Sequence, residues 1–495
     1  LDLLLDRRRR HRQLESFADA QGEAKVGDAS DARKAGLLSG EGFILGRVGN
    51  KLIRYAGEAA VLVCGRPGSW KGVAFVLLNL LQAPKPTRKK FQSYIVTDVS
   101  GELYAVAHRR LQDLGYRVLV IASEAERVSR ELGVTIETGR HNPAGYLDPT
   151  DPALLEDVKS FVQLLHKGAE PSKQNGTNEH FDKLARLVLT TFILWLLGRY
   201  GEVTLPGLRR CVMSTKDELH CLLEEACESR AFGNALSESS SAVLSLMGAS
   251  PEEFSGAMTT ATSSVELFAA GSPVGDQVSE HLFDWGELKE QPTVVFVIVP
   301  PERLKSQAQF IELTIAASAE ALARHRSNRR VVYLLDEVAN LYLPNLMTII
   351  SLYRKFGLQV VLILQQLEAQ LARIYGREAA REIQGNCEVI LALSTTELDD
   401  LKRLSELSGN ETFRNGSHSL RETTEGAPEV SYSGDYRQRP VLRPETIRLL
   451  EKHRAVLLMA GVTPFVVDLV NYLQEPAIKR LADENPFYIE RRDRK

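Results

Sequence analysis

Cysteine is scarce in this chain, with five in 495 residues at Cys64, Cys211, Cys221, Cys227 and Cys387. An odd number without metal-ligand spacing excludes a disulfide framework and a thiolate zinc site, and fits reduced thiols in a cytoplasmic protein. Long hydrophobic runs are also missing. The longest apolar helical stretch, Leu187 to Leu197, falls well short of the ~20 residues of a membrane span and reads as the buried face of a core helix. Excess charge of one sign is absent too, since the formal net charge is −3. A surface coated with basic residues for nucleic acid is therefore excluded, and any DNA contact must be local. No internal repeat is visible. What remains is ample apolar material, 44% of the residues, and length for about two or three domains.

Within that material, one loop carries chemistry. The apolar run Ala59 to Cys64 reads as a buried strand, Val73 to Leu78 reads as a helix, and between them lies Gly65-Arg66-Pro67-Gly68-Ser69-Trp70-Lys71-Gly72. Strand, Gly-rich loop, Lys and helix is the arrangement in which backbone N–H groups and a helix N-terminus cradle phosphates while the Lys reaches the β and γ groups. Two positions depart from the pattern. Trp70 stands where Gly precedes the Lys, and Gly72 stands where Ser or Thr supplies a hydroxyl to Mg²⁺. A Gly-rich turn without a ligand is the competing interpretation of the loop alone.

An acidic pair points the same way. Val331 to Leu335 is a short, continuous apolar run rich in β-branched residues, as expected of a buried parallel strand, and it ends in Asp336-Glu337. Carboxylates at a strand's C-terminal end suit Mg²⁺ held through Asp336 and a water activated by Glu337. The same pair alone would serve equally as a helix N-terminal signal. Together with Lys71 the catalytic interpretation is favoured.

Strand-like and helical stretches alternate in two blocks. The first contains the strand before the loop, then Ser93 to Thr97 ending in Asp98, then Tyr116 to Ile121. The second contains Thr293 to Val299, the strand before Asp336, then Leu358 to Leu364, Val389 to Leu393, Ala455 to Met459 and Phe465 to Val470. Such alternation predicts an α/β fold with a mostly parallel sheet covered on both faces. Between the blocks the apolar spacing is helical throughout, which predicts an inserted all-α domain. The expected divisions are a lead-in over 1–55, a first nucleotide-binding part over 56–150, the all-α domain over 151–275, a second nucleotide-binding part over 276–472 and a tail over 473–495. The stretch 409–440, rich in Ser, Thr, Gly, Glu and Arg, is expected to be a long flexible loop.

These blocks carry a resemblance. GRPGSWKG, TDVSGELYAVAHRRLQDLGYRVLVI, HNPAGYLDP, FDWGELKEQPTVVFVIVPPERL, YLLDEVANL, YRKFGLQVVLILQQ and RPVLRPETI follow in an order similar to the coupling proteins of bacterial conjugation and type IV secretion. The resemblance covers nearly the whole chain. It implies a RecA-like motor ATPase using ATP and Mg²⁺, with an inserted all-α domain, anchored in the bacterial inner membrane and facing the cytoplasm as a homo-hexameric ring. Its partners would be a DNA–relaxase complex or secreted effector proteins, together with components of the secretion channel. The basic run Arg7 to Arg12 then reads as the inner edge of a membrane anchor, where composition alone leaves a solvated basic helix equally open.

The resemblance also places residues. Lys71 matches the phosphate-binding Lys, Asp336 the metal-associated carboxylate and Glu337 the water-activating one. Arg354 matches an arginine that reaches a neighbouring subunit's nucleotide, and a surface arginine is its alternative. Gln365 matches a phosphate-sensing Gln. Asp98 and Glu102 match a further block and contribute to the site or to its packing. Gly72 is common in the family, whereas Trp70 is not, and an indole there either obstructs phosphate or stacks beside nucleotide, obstruction being the preferred expectation. Between Gly145 and Val274 there are 17 Asp and Glu against 10 Lys and Arg. That balance suits basic protein cargo better than a phosphate backbone, and plain solubilisation is the alternative. Two rival functions are a nucleotide-sensing cargo-docking module with little or no hydrolysis, and a septal-type DNA translocase.

Overall fold

A computed structural model describes residues 24–166, 176–337, 341–421 and 429–487. Arg7 to Arg12 and the end of the tail lie outside them. Eleven strands form one sheet: β1 (Phe43–Val48), β2 (Lys51–Tyr55), β3 (Ala60–Gly65), β4 (Ser93–Val99), β5 (Arg117–Ala122), β6 (Thr293–Val299), β7 (Val331–Leu335), β8 (Leu358–Leu364), β9 (Cys387–Leu393), β12 (Arg454–Met459) and β13 (Val462–Asp468). Their order is β2-β1-β13-β12-β9-β3-β8-β7-β4-β6-β5. From β9 to β5 all pairings are parallel, while β12, β13, β1 and β2 add an antiparallel edge. The sheet is thus mostly parallel, as the sequence predicts.

Both faces are covered, which is why the central strands read as unbroken apolar runs. Val61 and Val63 of β3 point into one layer, with the helices Leu77–Leu81 and Glu102–Leu114, and Leu62 and Cys64 point into the other, with the helical insertion. From Leu154–Leu165 to Pro273–Gln277 every regular element among the described residues is a helix. The chain leaves and re-enters this block side by side, joined by a bridge between His141 and His281. His141 is fully buried between Phe283 and Trp285, and burial holds its imidazole neutral.

Two stretches differ from expectation. β1 and β2 fall within 1–55, which was expected to be a lead-in, and their two-residue connection Gly49-Asn50, with Gly49 at φ +58°, is a hairpin signal available in the sequence. The expected loop over 409–440 is instead a separate antiparallel ribbon of β10 (Asn410–Arg421) and β11 (Glu429–Pro440), paired in continuous register from Asn410↔Pro440 to Arg421↔Glu429. The residues of both strands are mostly polar, without the period-two alternation that betrays half-buried strands. The described part of the tail is held against the helix Glu102–Leu114, since Asp483 donates its N–H to Val106 O and pairs with Arg109.

The start of β8 depends on one glycine. Gly357 sits at φ +85°, and a Cβ there would lie 2.3 Å from the Asn328 carbonyl oxygen. Gly357→Ala should therefore cost more than the ~1–2 kcal/mol of left-handed strain alone. Gly133→Ala, at φ +67° with nothing within 4 Å, should cost only that strain. Urea midpoints of the two variants check the difference, and equal losses would remove the steric argument.

Candidate active site

Parallel register aligns the strand ends that matter. Cys64 of β3 pairs with Leu364 of β8, Leu335 of β7 with Leu362 of β8, and Thr97 of β4 with Leu335. Gly65, Gln365, Asp336 and Asp98 therefore follow one another along a single edge of the sheet, at the C-terminal ends of four adjacent strands.

The loop between β3 and its helix is tight. Ser69 N–H closes on Arg66 O at 3.1 Å, Ala74 N–H reaches Trp70 O at 2.7 Å, and a π-helical turn, Gly72–Val76, precedes the regular helix. Gly68 lies at φ +75°, and neither it nor Gly72 has an atom within 4 Å of where a Cβ would be. That leaves open space in front of the loop. Lys71 folds back onto its own loop, donating to Gly65 O and, at 3.3 Å, to Arg66 O. Its pKa is pulled down by burial, against the opposing fields of Glu337 and Asp336. The exposed Arg66 reaches Ser394 Oγ at 3.3 Å, Pro67 is exposed, and Ser69 is buried with its Oγ unpartnered among the described residues.

Trp70 takes φ +74°, a left-handed conformation natural to Gly and strained for an indole-bearing residue. Its ring leans on the apolar layer beneath the loop helix, with Lys452 Nζ 5.3 Å from the ring centroid.

The acidic pair is held from three sides. Thr97 Oγ1 donates to Asp336 O at 3.0 Å, and Glu337 N–H donates to Asp336 Oδ1 at 3.0 Å. Burial, reinforced by the Glu337 charge, pushes Asp336 up to about 7. Glu337 stands at φ +55°, and Gln365 Nε2 donates to its two carboxylate oxygens at 3.1 and 2.9 Å. A non-glycine residue in this conformation persists only where its surroundings enforce it. Gln365 is itself fixed by its N–H to Gln370 Oε1 at 2.7 Å, and the next residues by N–H bonds from Leu367 and Glu368 to the buried Asp400. Gln370 acts locally, five residues on from Gln365, whereas Asp400 carries no sequence signal for this duty, since it reaches the loop only through tertiary packing.

Asp98 and Glu102 sit at the margin. Asp98 accepts Tyr104 N–H at 2.8 Å and so starts the helix Glu102–Leu114, while burial raises it to about 7. Glu102 accepts from Asn485 of the tail at 2.7 Å. Arg354 is elsewhere. It is exposed in the turn Tyr353–Phe356 before β8, at the opposite end of the strand whose far end carries Gln365, about 20 Å away at ~3.3 Å per residue. It therefore cannot act on the site of its own chain.

No three His, Cys, Asp or Glu side chains among the described residues are grouped to hold a metal by themselves. The donor set still fits Mg²⁺ bound with a triphosphate, because that ion keeps waters and takes only one or two protein carboxylates. Asp336 provides one such carboxylate, and the space before Gly68 and Gly72 leaves room for phosphate.

The family described as type IV secretory system conjugative DNA transfer matches residues 25–491. The chain is 24% identical over 346 residues to the type IV secretion system-coupling protein VirD4 of Bartonella henselae, an alignment covering 67% of this chain and 52% of that protein. It is 23% identical over 466 residues to the conjugal transfer protein TraG of Escherichia coli, covering 86% and 70%. The chain thus spans about half the length of the Bartonella relative. Among solved structures, the unbound bacterial conjugative coupling protein TrwBdeltaN70 superposes with a TM-score of 0.64 at 17% identity, covering 90% of this chain and 92% of that one. TrwB in complex with ADP and Mg²⁺ gives 0.64 at 17%, covering 90% and 94%. At such identity the structural likeness speaks to the fold, a RecA-like α/β domain. The match across 25–491 goes further: this chain belongs to the type IV secretory system conjugative DNA transfer family.

Proposed function

We propose that this chain is an ATP-driven coupling protein, which recruits substrates to a type IV secretion channel and powers their transfer by hydrolysing ATP. The observation that carries this is the meeting of Lys71, Asp336, Glu337 and Gln365 on one sheet edge beside an open Gly-rich loop. Lys71 exchanges the carbonyls of Gly65 and Arg66 for phosphate oxygens, and loop N–H groups at the helix N-terminus receive the rest of the charge. Glu337 accepts a proton from the attacking water, and Gln365 holds its carboxylate for that task. Bound through Asp336, Mg²⁺ supplies positive charge that offsets what develops on the phosphates.

Arg354 completes the reaction from a neighbouring copy. Around it the strand-start edge of the sheet is basic and exposed, with Arg88 and Lys89 before β4, Arg326 before β7 and Lys355 before β8, in a chain whose net charge is −3. A cationic edge on one end and carboxylates with a phosphate loop on the other suit head-to-tail contact, which closes as a ring such as a homo-hexamer. The acidic helical insertion suits a basic protein cargo, whether a relaxase carrying DNA or a secreted effector. The setting proposed is the cytoplasmic face of the bacterial inner membrane.

The nucleotide-sensing alternative rests on Trp70. The expectation of obstruction is weakened by geometry, because the backbone already holds the left-handed conformation a Gly would take and the indole leans on the protein under Lys452. Calorimetry should find that Trp70→Gly changes ATP affinity less than about threefold. Tightening by tenfold or more would restore obstruction.

Glu337→Gln should keep ATP affinity and lower ADP release by ~10²-fold or more, measured with and without DNA. Lys71→Ala should weaken binding itself by at least about tenfold. Unaltered turnover in Glu337→Gln would discard its role as base.

Arg354→Ala chains and Lys71→Ala chains, each inactive alone, should recover activity when mixed, since one supplies an intact phosphate site and the other an intact arginine. Absence of recovery in demonstrably mixed assemblies would end the trans assignment.

A further inference from the structure

Lys289 is a buried cation with no carboxylate partner among the described residues. It closes the turn Trp285–Lys289, by which the chain returns from the helical insertion to the sheet, and it is 1% exposed. Its Nζ donates to two backbone carbonyls, Leu322 O at 2.7 Å and Phe356 O at 2.8 Å. Burial alone shifts it, down to about 8. Removing an ammonium from water is costly, and an apolar side chain of similar length would fill the space without that cost. The two bonds must therefore secure something the apolar residue would not.

The acceptors identify it. Leu322 lies in the last turn of the helix Ala308–Arg324, where its carbonyl also accepts the His325 N–H at 3.3 Å and a positive charge is favoured. Phe356 ends the turn Tyr353–Phe356, which carries Arg354 on an otherwise exposed surface. A second tie runs in parallel, from Tyr353 Oη to Glu320 of the same helix at 2.9 Å. That helix is also the one the insertion grips. Gln309 Nε2 donates to Leu165 O at 3.2 Å and Ser264 O at 2.8 Å, and Arg324 pairs with Asp157 and lies 5.0 Å over the Tyr146 ring.

We propose that Lys289 is a positioning residue for Arg354, anchoring its turn to the helix Ala308–Arg324 and thereby to the helical insertion. This rests on the trans-acting assignment of Arg354. It adds a physical route by which displacement of the insertion shifts the arginine that serves the neighbouring site, through one rigid helix and two carbonyls.

The test uses the full chain with Lys289→Met, which keeps length and removes the donors. Amide hydrogen exchange should rise about tenfold or more in 353–358, including Gly357 N–H, which bonds Arg354 O at 2.9 Å, and stay unchanged in the phosphate loop 65–72. ATP affinity should stay within about twofold while turnover falls as in Arg354→Ala. Mixing with Lys71→Ala chains should restore activity, mixing with Arg354→Ala chains should not, and Lys289→Arg should recover much of the loss. Unchanged exchange in 353–358, or recovery with Arg354→Ala chains, would overturn the proposal. If Lys289→Met does not fold, Lys289→Gln, with donors for only part of the pair, should give a smaller rise confined to 353–358, and no rise would overturn the proposal equally. Should exchange rise locally while Arg354→Ala and Lys71→Ala chains fail to complement each other, the trans role of Arg354 falls and the anchoring by Lys289 stands.

Discussion

Parallel pairing of β3 with β8, and of β8 with β7, is the constraint on which the site depends. Because parallel strands all end at the same edge, residues far apart in sequence arrive there together: Gly65 closes β3, Asp98 is the penultimate residue of β4, and Asp336 and Gln365 directly follow β7 and β8. The same constraint sends whatever precedes the strands to the other edge. Arg354 and Gln365 are separated by one strand in sequence and by that strand's full length in space.

Around this edge the backbone carries strain that the packing enforces. Trp70 and Glu337 both hold left-handed conformations unusual for residues with a Cβ, one in the loop and one at the end of β7. Each is locked by neighbours: Trp70 by the apolar layer and Lys452, Glu337 by Gln365. Burial raises Asp336 and Asp98 to about 7, so the carboxylates here sit in a poorly hydrated pocket where positive charge is favoured. The helix Ala308–Arg324 gives the other edge its rigidity, since it binds the insertion at both of its ends and the Arg354 turn near its C-terminus.

Much of this was legible in the residues. Buried parallel strands announce themselves as unbroken apolar runs, and the phosphate loop, the Asp336-Glu337 pair and the helical spacing of the insertion are local patterns. Other elements were not: the residues of β10 and β11 read as a polar loop, and the hairpin of β1 and β2, although it buries Phe43, Ile44, Leu45 and Ile53, was signalled only by Gly49-Asn50 in its turn. Asp400 and Lys289 were also invisible, because each acts on backbone far away in the chain, and hydrogen bonds to a distant main chain leave no trace in local composition.

Sequence by itself thus determined the order of strands and helices and the chemistry available at their ends, since both follow from hydrophobic periodicity and residue type over short windows. Tertiary structure alone decided which of those ends share an edge, that Arg354 stands a strand's length from Lys71, that the indole of Trp70 rests on the protein, and that Lys289 joins the insertion's return path to the arginine turn. The physical reason is that periodicity specifies which face of an element is buried, whereas strand order and side-chain reach are set by how the buried faces pack together.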